Sequence, residues 1–226
     1  MSKVIGKFDH LINNLERSPL RDSIFNYKSG RKAFLKLGQE NISEWFDKLL
    51  PNTRLIIEPK IIGSSIGIQY LNGTINKAIN DYSVDITEEV KSQQIIPTSI
   101  PIDKKIEIRG VLYEKVNTIN KKTQFIDIKK ALTKQNEYDF CAFQILHCKI
   151  NHFQALQELK NLNFDTPKTQ LTRFLSDIDI YHQCWKQGKL FKSYPTSGIV
   201  LIINSRKLQK LLGENNHSIN WAYSLN

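Results

Sequence analysis

Cysteine is scarce and unpatterned in this chain. Only Cys141, Cys148 and Cys184 occur, an odd number without framework spacing, which argues against a secreted, disulfide-stapled domain. No pair is spaced Cys-x-x-Cys, so no zinc site is suggested. The five histidines show no ligand spacing either. His147, His152 and His182 fall in different elements and read as satisfied structural histidines. There is no Ser-His-Asp arrangement and no phosphate-binding glycine loop. Residues 1–7 hold no apolar stretch of a secretion signal, and no apolar run is long enough to span a bilayer. Internal repeats and low-complexity tails are missing as well. These gaps predict a cytoplasmic protein with no metal centre and no membrane partner.

What is present is an ordinary soluble composition, 40% hydrophobic and 24% charged over 226 residues, enough for one large domain or two small ones. The charge is not balanced. Lys and Arg total 32 against 22 for Asp and Glu, a formal +10. Such an excess suggests a polyanionic partner, because a basic surface attracts phosphates and releases their counterions. A solvated basic face is the plainer alternative.

Apolar spacing outlines the elements. Phe8, Leu11, Ile12 and Leu15 recur at helical spacing. A second helix is predicted over 42–50, with Trp45, Phe46, Leu49 and Leu50 as its buried stripe, ended by Pro51 and Asn52. Then come strands: 54–60, a run through Ile66, Ile68 and Tyr70, and a return over 74–79. Between the last two lies Asn72-Gly73, a hairpin dipeptide whose members both tolerate positive φ. Further strands are predicted over 106–113, 138–146 and 197–203. Helices are predicted over 152–162, with Phe153, Leu156 and Leu159 inward, and over 205–212, capped by Gly213. The stretch around Asp177 and Asp179 fits no element. The pattern is α+β: antiparallel sheets with flanking helices. A short helical front piece, 1–34, precedes a strand-rich body, 35–226.

Six stretches of that body, read in order, carry a family likeness. They are Glu58-Pro59-Lys60-Ile61-Ile62-Gly63; Asp85-Ile86-Thr87 running to Ile96-Pro97; Glu107-Ile108-Arg109-Gly110-Val111-Leu112-Tyr113; Phe140-Cys141-Ala142-Phe143; Ser197-Gly198-Ile199-Val200-Leu201-Ile202; and Trp221-Ala222. In this order and at comparable separations they resemble the adenylation domain of NAD-dependent DNA ligases. The resemblance covers roughly residues 35–226. It implies the nucleotidyltransferase fold, with Lys60 as the nucleophile that takes AMP. Glu58, Phe143 and Leu37 would hold the nucleotide, Glu58 at the adenine amino group and Phe143 stacked on the base. No OB-fold, zinc-finger, helix-hairpin-helix or BRCT module is expected within the chain. The front piece is too short for the family's nicotinamide-recognising domain.

Several motif positions depart from the family's pattern. Ile62 stands for an aspartate, Val111 for a glutamate, Ile202 for a lysine and Ser197 for an aspartate; the last catalytic lysine falls on Asn226. Every change removes charge. Aliphatic side chains cannot coordinate a metal or bond a ribose hydroxyl. Each lost transition-state contact costs about 3–4 kcal/mol, so several together leave little activity. Ile62, Val111 and Ile202 are expected to line an apolar pocket floor.

Three readings follow. The first is a degenerate ligase-like domain, a pseudo-enzyme needing no cofactor, that binds nucleic acid, DNA above all, or a protein partner. Its candidate phosphate contacts are Lys104, Lys105, Arg109, Lys121, Lys122, Lys129 and Lys130. The second is an active nucleotidyltransferase in which Lys60 takes AMP from ATP or NAD, with support from Glu107, Arg109 or Lys192. The third is a module that senses adenine nucleotides (AMP, ATP or NAD).

Overall fold

The computed structural model describes residues 8–16, 36–38, 41–117, 128, 131, 134, 136–213 and 218–226. In chain order the elements are α1 (Asp9–Asn14), β1 (Lys36–Gly38), α2 (Ile42–Asp47), β2 (Leu55–Ile61), β3 (Ser64–Leu71), β4 (Thr74–Asn80), α3 (Thr87–Lys91), β5 (Ile106–Glu114), β6 (Tyr138–Ile145), α4 (His152–Asn161), β7 (Gln170–Thr172), α5 (Leu175–Lys186), β8 (Thr196–Ile203), α6 (Arg206–Leu212) and β9 (Ser218–Leu225). They build two sheets, one four-stranded in the order β4-β3-β5-β6, one five-stranded in the order β1-β9-β8-β2-β7. Pairing is antiparallel except between β1 and β9, which run parallel. The fold is therefore the mixed α+β architecture of helices and antiparallel sheets that the sequence pattern predicts.

The chain divides into two compact units, one of Met1–Phe34, Gly63–Ile150 and Gln154–Thr166, the other of Leu35–Ile62, Asn151–Phe153 and Pro167–Asn226. The first is built on the four-stranded sheet. Asn72 and Gly73 take positive φ, 50° and 79°, and turn β3 into β4 as the dipeptide predicts. Its core holds Ile66, Ile68 and Tyr70 of β3, Ile106 and Ile108 of β5, and Phe140 and Ala142 of β6. From the helices come Phe8 and Leu11, then Ala155, Leu156 and Leu159. On α4 the inward row differs from the predicted one: Phe153 is exposed, and His152 is the buried residue that continues the Ala155, Leu156, Leu159 row. His152 lies seven residues, about two helical turns, before Leu159 and so shares its face, whereas Phe153, six residues before it, falls off that face.

The second unit is built on the five-stranded sheet. Leu55 and Ile57 of β2, Ile199, Leu201 and Ile203 of β8 and Tyr223 of β9 line one face, where Trp45 and Ile178 pack. Trp45 also donates its indole N–H to the Asn220 carbonyl at 3.0 Å. Leu50, expected in the α2 stripe, is exposed, because the helix stops at Asp47. The unassigned stretch around Asp177 is helix α5, anchored by buried Ile178. At α6 the Ser205 hydroxyl accepts from the Leu208 N–H, and Gly213 ends the helix at φ 62°, as its position predicts.

Candidate functional site

The second unit's sheet has another face. Strand alternation puts Ile56 and Glu58 there, opposite Leu55 and Ile57. Ile56 packs with Val200, Ile202 and Ala222, brought side by side by the pairings Ile56↔Ile202 and Ile202↔Ala222. This is a floor of hydrocarbon. Ile202, where the ligase-like motif leads one to expect lysine, is part of it and 6% exposed.

Glu58 continues the row. It is only 4% exposed, and burying an unpartnered carboxylate costs several kcal/mol, so it demands a partner. The partner is His152, whose Nε2 lies 2.6 Å from Glu58 Oε1. The histidine is itself buried and opens α4. Asn204, the residue after β8, fixes it. The Asn204 carbonyl accepts the His152 N–H at 2.9 Å, and its side-chain Oδ1 accepts the Phe153 N–H at 2.9 Å. These bonds satisfy two of the helix's leading donors. Sequence reasoning found Glu58 by its incongruity but placed no residue against it.

Lys60 stands where the β2–β8 register slips. Pro59 pairs with Ile199 and Ile61 with Thr196, so Ser197 and Gly198 together oppose Lys60. Such bulges re-aim side chains. Gly198 sits at φ 155°, and a Cβ there would come within 2.0 Å of the Leu225 carbonyl oxygen. Only glycine lets the end of β9 pass this close. The passage brings Asn226 to the lysine: Lys60 Nζ donates to Asn226 Oδ1 at 2.7 Å. The Ser224 hydroxyl donates to the same oxygen at 3.3 Å, and the Asn226 carbonyl lies 3.1 Å from His182 Nε2. Partial burial lowers the Lys60 pKa from its ordinary value. Among the described residues no carboxylate pairs with it; its polar partner is an amide oxygen.

Ile62 does not join the floor. It is 42% exposed, because it lies past the end of β2 and is tied by its N–H to the Pro195 carbonyl rather than held in strand alternation. Leu37 lies in β1, its backbone in register with Ile219.

Apart from Lys192, the remaining described candidates belong to the first unit. Val111 is buried in β5, between Ser65 and Cys141 on the neighbouring strands. Phe143 is a bulge residue of β6: Arg109 pairs with Gln144 and Gly110 with Ala142, and Phe143 is left between them. It is only half-buried, unlike Phe140 and Ala142 beside it. Arg109 is half-buried on β5 with its guanidinium 3.5 Å from Gln144 Oε1. Glu107 is committed within its own unit, accepting from Gln69 at 3.0 Å and pairing with Lys105 at 2.8 Å. Lys104 and Lys192 are exposed, while Lys121, Lys122, Lys129 and Lys130 lie outside the described residues. Among the described residues no group of three His, Cys, Asp or Glu is placed to hold a metal ion, and no helix is long and apolar enough to cross a membrane.

The Asp85-Ile86-Thr87 motif turns out to build structure. Thr87 donates its N–H and its hydroxyl to Asp85 Oδ1, at 2.9 and 2.6 Å, and the buried hydroxyl accepts from the Ala78 N–H at 2.9 Å. The Thr87 hydroxyl bond, more than any other contact, holds the Asp85 pKa below the usual carboxylate value.

This arrangement of sheets and helices is the nucleotidyltransferase fold of the nucleic-acid ligases. It matches an archaeal ATP-dependent RNA ligase with a TM-score of 0.51 at 12% identity, over 90% of this chain and 58% of that one. It matches a Lig E DNA ligase with a TM-score of 0.52 at 10% identity, over 85% and 68%. In sequence the chain is a relative of proteins named DNA ligase. It is 27% identical over 210 residues to the DNA ligase of Metamycoplasma arthritidis, covering 79% of this chain and 32% of that one. Against the DNA ligase of Thermotoga neapolitana it is 25% identical over 219 residues, covering 81% and 32%. The chain thus spans about a third of the length of the curated relatives it matches. No protein-family model matches the sequence.

Proposed function

We propose that this chain is a ligase-like adenylation domain that has lost ligase chemistry and works as a nucleic-acid binding module, its Glu58–Lys60 face being the remnant of a nucleotide site. One observation carries the reading. Lys60 meets an amide oxygen, Asn226 Oδ1, beside a floor of Ile56, Val200, Ile202 and Ala222. Attack on a phosphoryl group requires a deprotonated amine and cations to take up the shifting charge. In the ligase-like alignment the cations belong at Ile202 and Asn226, and neither side chain can carry charge.

The nucleic-acid part rests on the formal +10 charge and on relatives named DNA ligase. Fluorescence anisotropy with nicked duplex, intact duplex and single-stranded DNA tests it. Binding that weakens steeply with salt is expected; no binding to any of the three at low salt sinks the proposal.

A second reading, a still-active lysine, is favoured by the lowering of the Lys60 pKa through burial, since that raises the share of free amine at neutral pH. Lysyl-AMP formation from ATP or NAD, rising with pH through the lowered pKa, is its signature.

A further inference from the structure

The buried imidazole at Glu58 occupies a buried carboxylate in the row of the hydrocarbon face. From the contact between His152 Nε2 and Glu58 Oε1 we propose that His152 is a built-in competitor for the nucleobase, holding the carboxylate that an adenine amino group would otherwise engage. The proposal rests on reading this face as a nucleotide site and adds what regulates it.

The chemistry is one of donors. A carboxylate accepts hydrogen bonds and does not donate them. Beside a floor of hydrocarbon it selects a ligand edge bearing N–H groups, such as the exocyclic amine of adenine. In the tautomer that carries its proton on Nε2, His152 presents such an N–H to Glu58 Oε1 at 2.6 Å. The pair is nearly sealed from water, with side-chain exposures of 6% for His152 and 5% for Glu58, so solvent offers Glu58 little alternative. Nor is the imidazole's position casual. Its backbone N–H is held by the Asn204 carbonyl, and the next N–H by the Asn204 side chain. The strand that carries Ile202 thus also delivers the competing ring. A nucleobase reaching Glu58 must displace a buried hydrogen bond already made, which weakens binding by about tenfold or more.

Calorimetric titration of the full chain with AMP and with IMP tests this, using wild type, His152→Ala and His152→Leu. IMP carries a carbonyl in place of the amine. We expect both variants to bind AMP at least about tenfold more tightly than wild type, with no gain for IMP. An equal gain for both nucleotides means that the variants only opened space, and the proposal falls. Wild type that binds AMP and loses it in either variant makes His152 part of the grip; the nucleotide-site reading then stands and the competitor falls. Silence from all three folded proteins at millimolar AMP removes the nucleotide site itself. Should the variants fail to fold, the imidazole resonances of His152 in the wild type decide. They shift on saturation with AMP if the ring must release Glu58, and unchanged resonances with AMP bound overturn the proposal.

Discussion

Glu58 and Lys60 sit two residues apart on one strand and illustrate what a single side chain can and cannot reveal. Glu58 was legible as an anomaly, a carboxylate closing an apolar run. His152, 94 residues away in sequence, was not, because nothing local marks a histidine as another residue's partner. The pair makes a stability prediction. Glu58→Leu or His152→Leu alone strands a buried polar group, and each should cost about 1–3 kcal/mol by denaturant unfolding. The double variant should cost clearly less than the sum, since replacing both partners leaves nothing unsatisfied. Additive losses would mean that the 2.6 Å contact contributes nothing. Lys60 gives a prediction with the opposite sign. Its folded pKa is lowered, so the folded state disfavours the ammonium form. That penalty is present below the folded pKa and vanishes as pH rises past the unfolded value near ~10.4. Lys60→Met should therefore raise Tm slightly at neutral pH, and the gain should shrink at alkaline pH. A gain that grows with pH contradicts the assignment.

Elements were legible where one local rule acted alone. The Asn72-Gly73 turn and the Gly213 stop of α6 fall where the residues put them. Less local elements were not. Strand β1 has three residues, as does β7; each exists by pairing with a longer neighbour, which no short window displays. Strand β9, Ser218–Leu225, mixes polar and apolar positions and is fixed by β8 beside it. Bulges at Ser197-Gly198 and at Phe143 reflect register between strands and leave no trace in one of them. The Asp85–Thr87 motif, one of the stretches that carry the family likeness, locks a turn. Thr87→Val leaves the buried Ala78 N–H without its hydroxyl acceptor, a loss of about 1–3 kcal/mol in chemical denaturation; an unchanged midpoint would contradict this role. Because the folded Asp85 pKa is lowered, its contribution holds above the unfolded value and disappears as pH falls through the folded one. Asp85→Asn should accordingly flatten the acid limb of the stability profile, and an unchanged limb would argue against the lock.

At the scale of the whole molecule, charge is what bears on the proposed nucleic-acid partner. The fold is that of ligase nucleotidyltransferases, and the formal +10 suits a phosphate backbone. If several phosphates are contacted, affinity for duplex DNA should fall at least about tenfold between ~50 and ~200 mM salt. A salt-independent affinity would move the interaction away from the backbone. The proposed loss of ligase chemistry turns on the hydrocarbon floor of Ile56, Val200, Ile202 and Ala222, where the ligase resemblance leads one to expect a cation. Intact mass of the purified chain after incubation with ATP and with NAD, each at alkaline pH to favour the free amine, tests that claim most directly. An unmodified mass is expected with both nucleotides. A one-AMP increase that disappears in Lys60→Ala would contradict it.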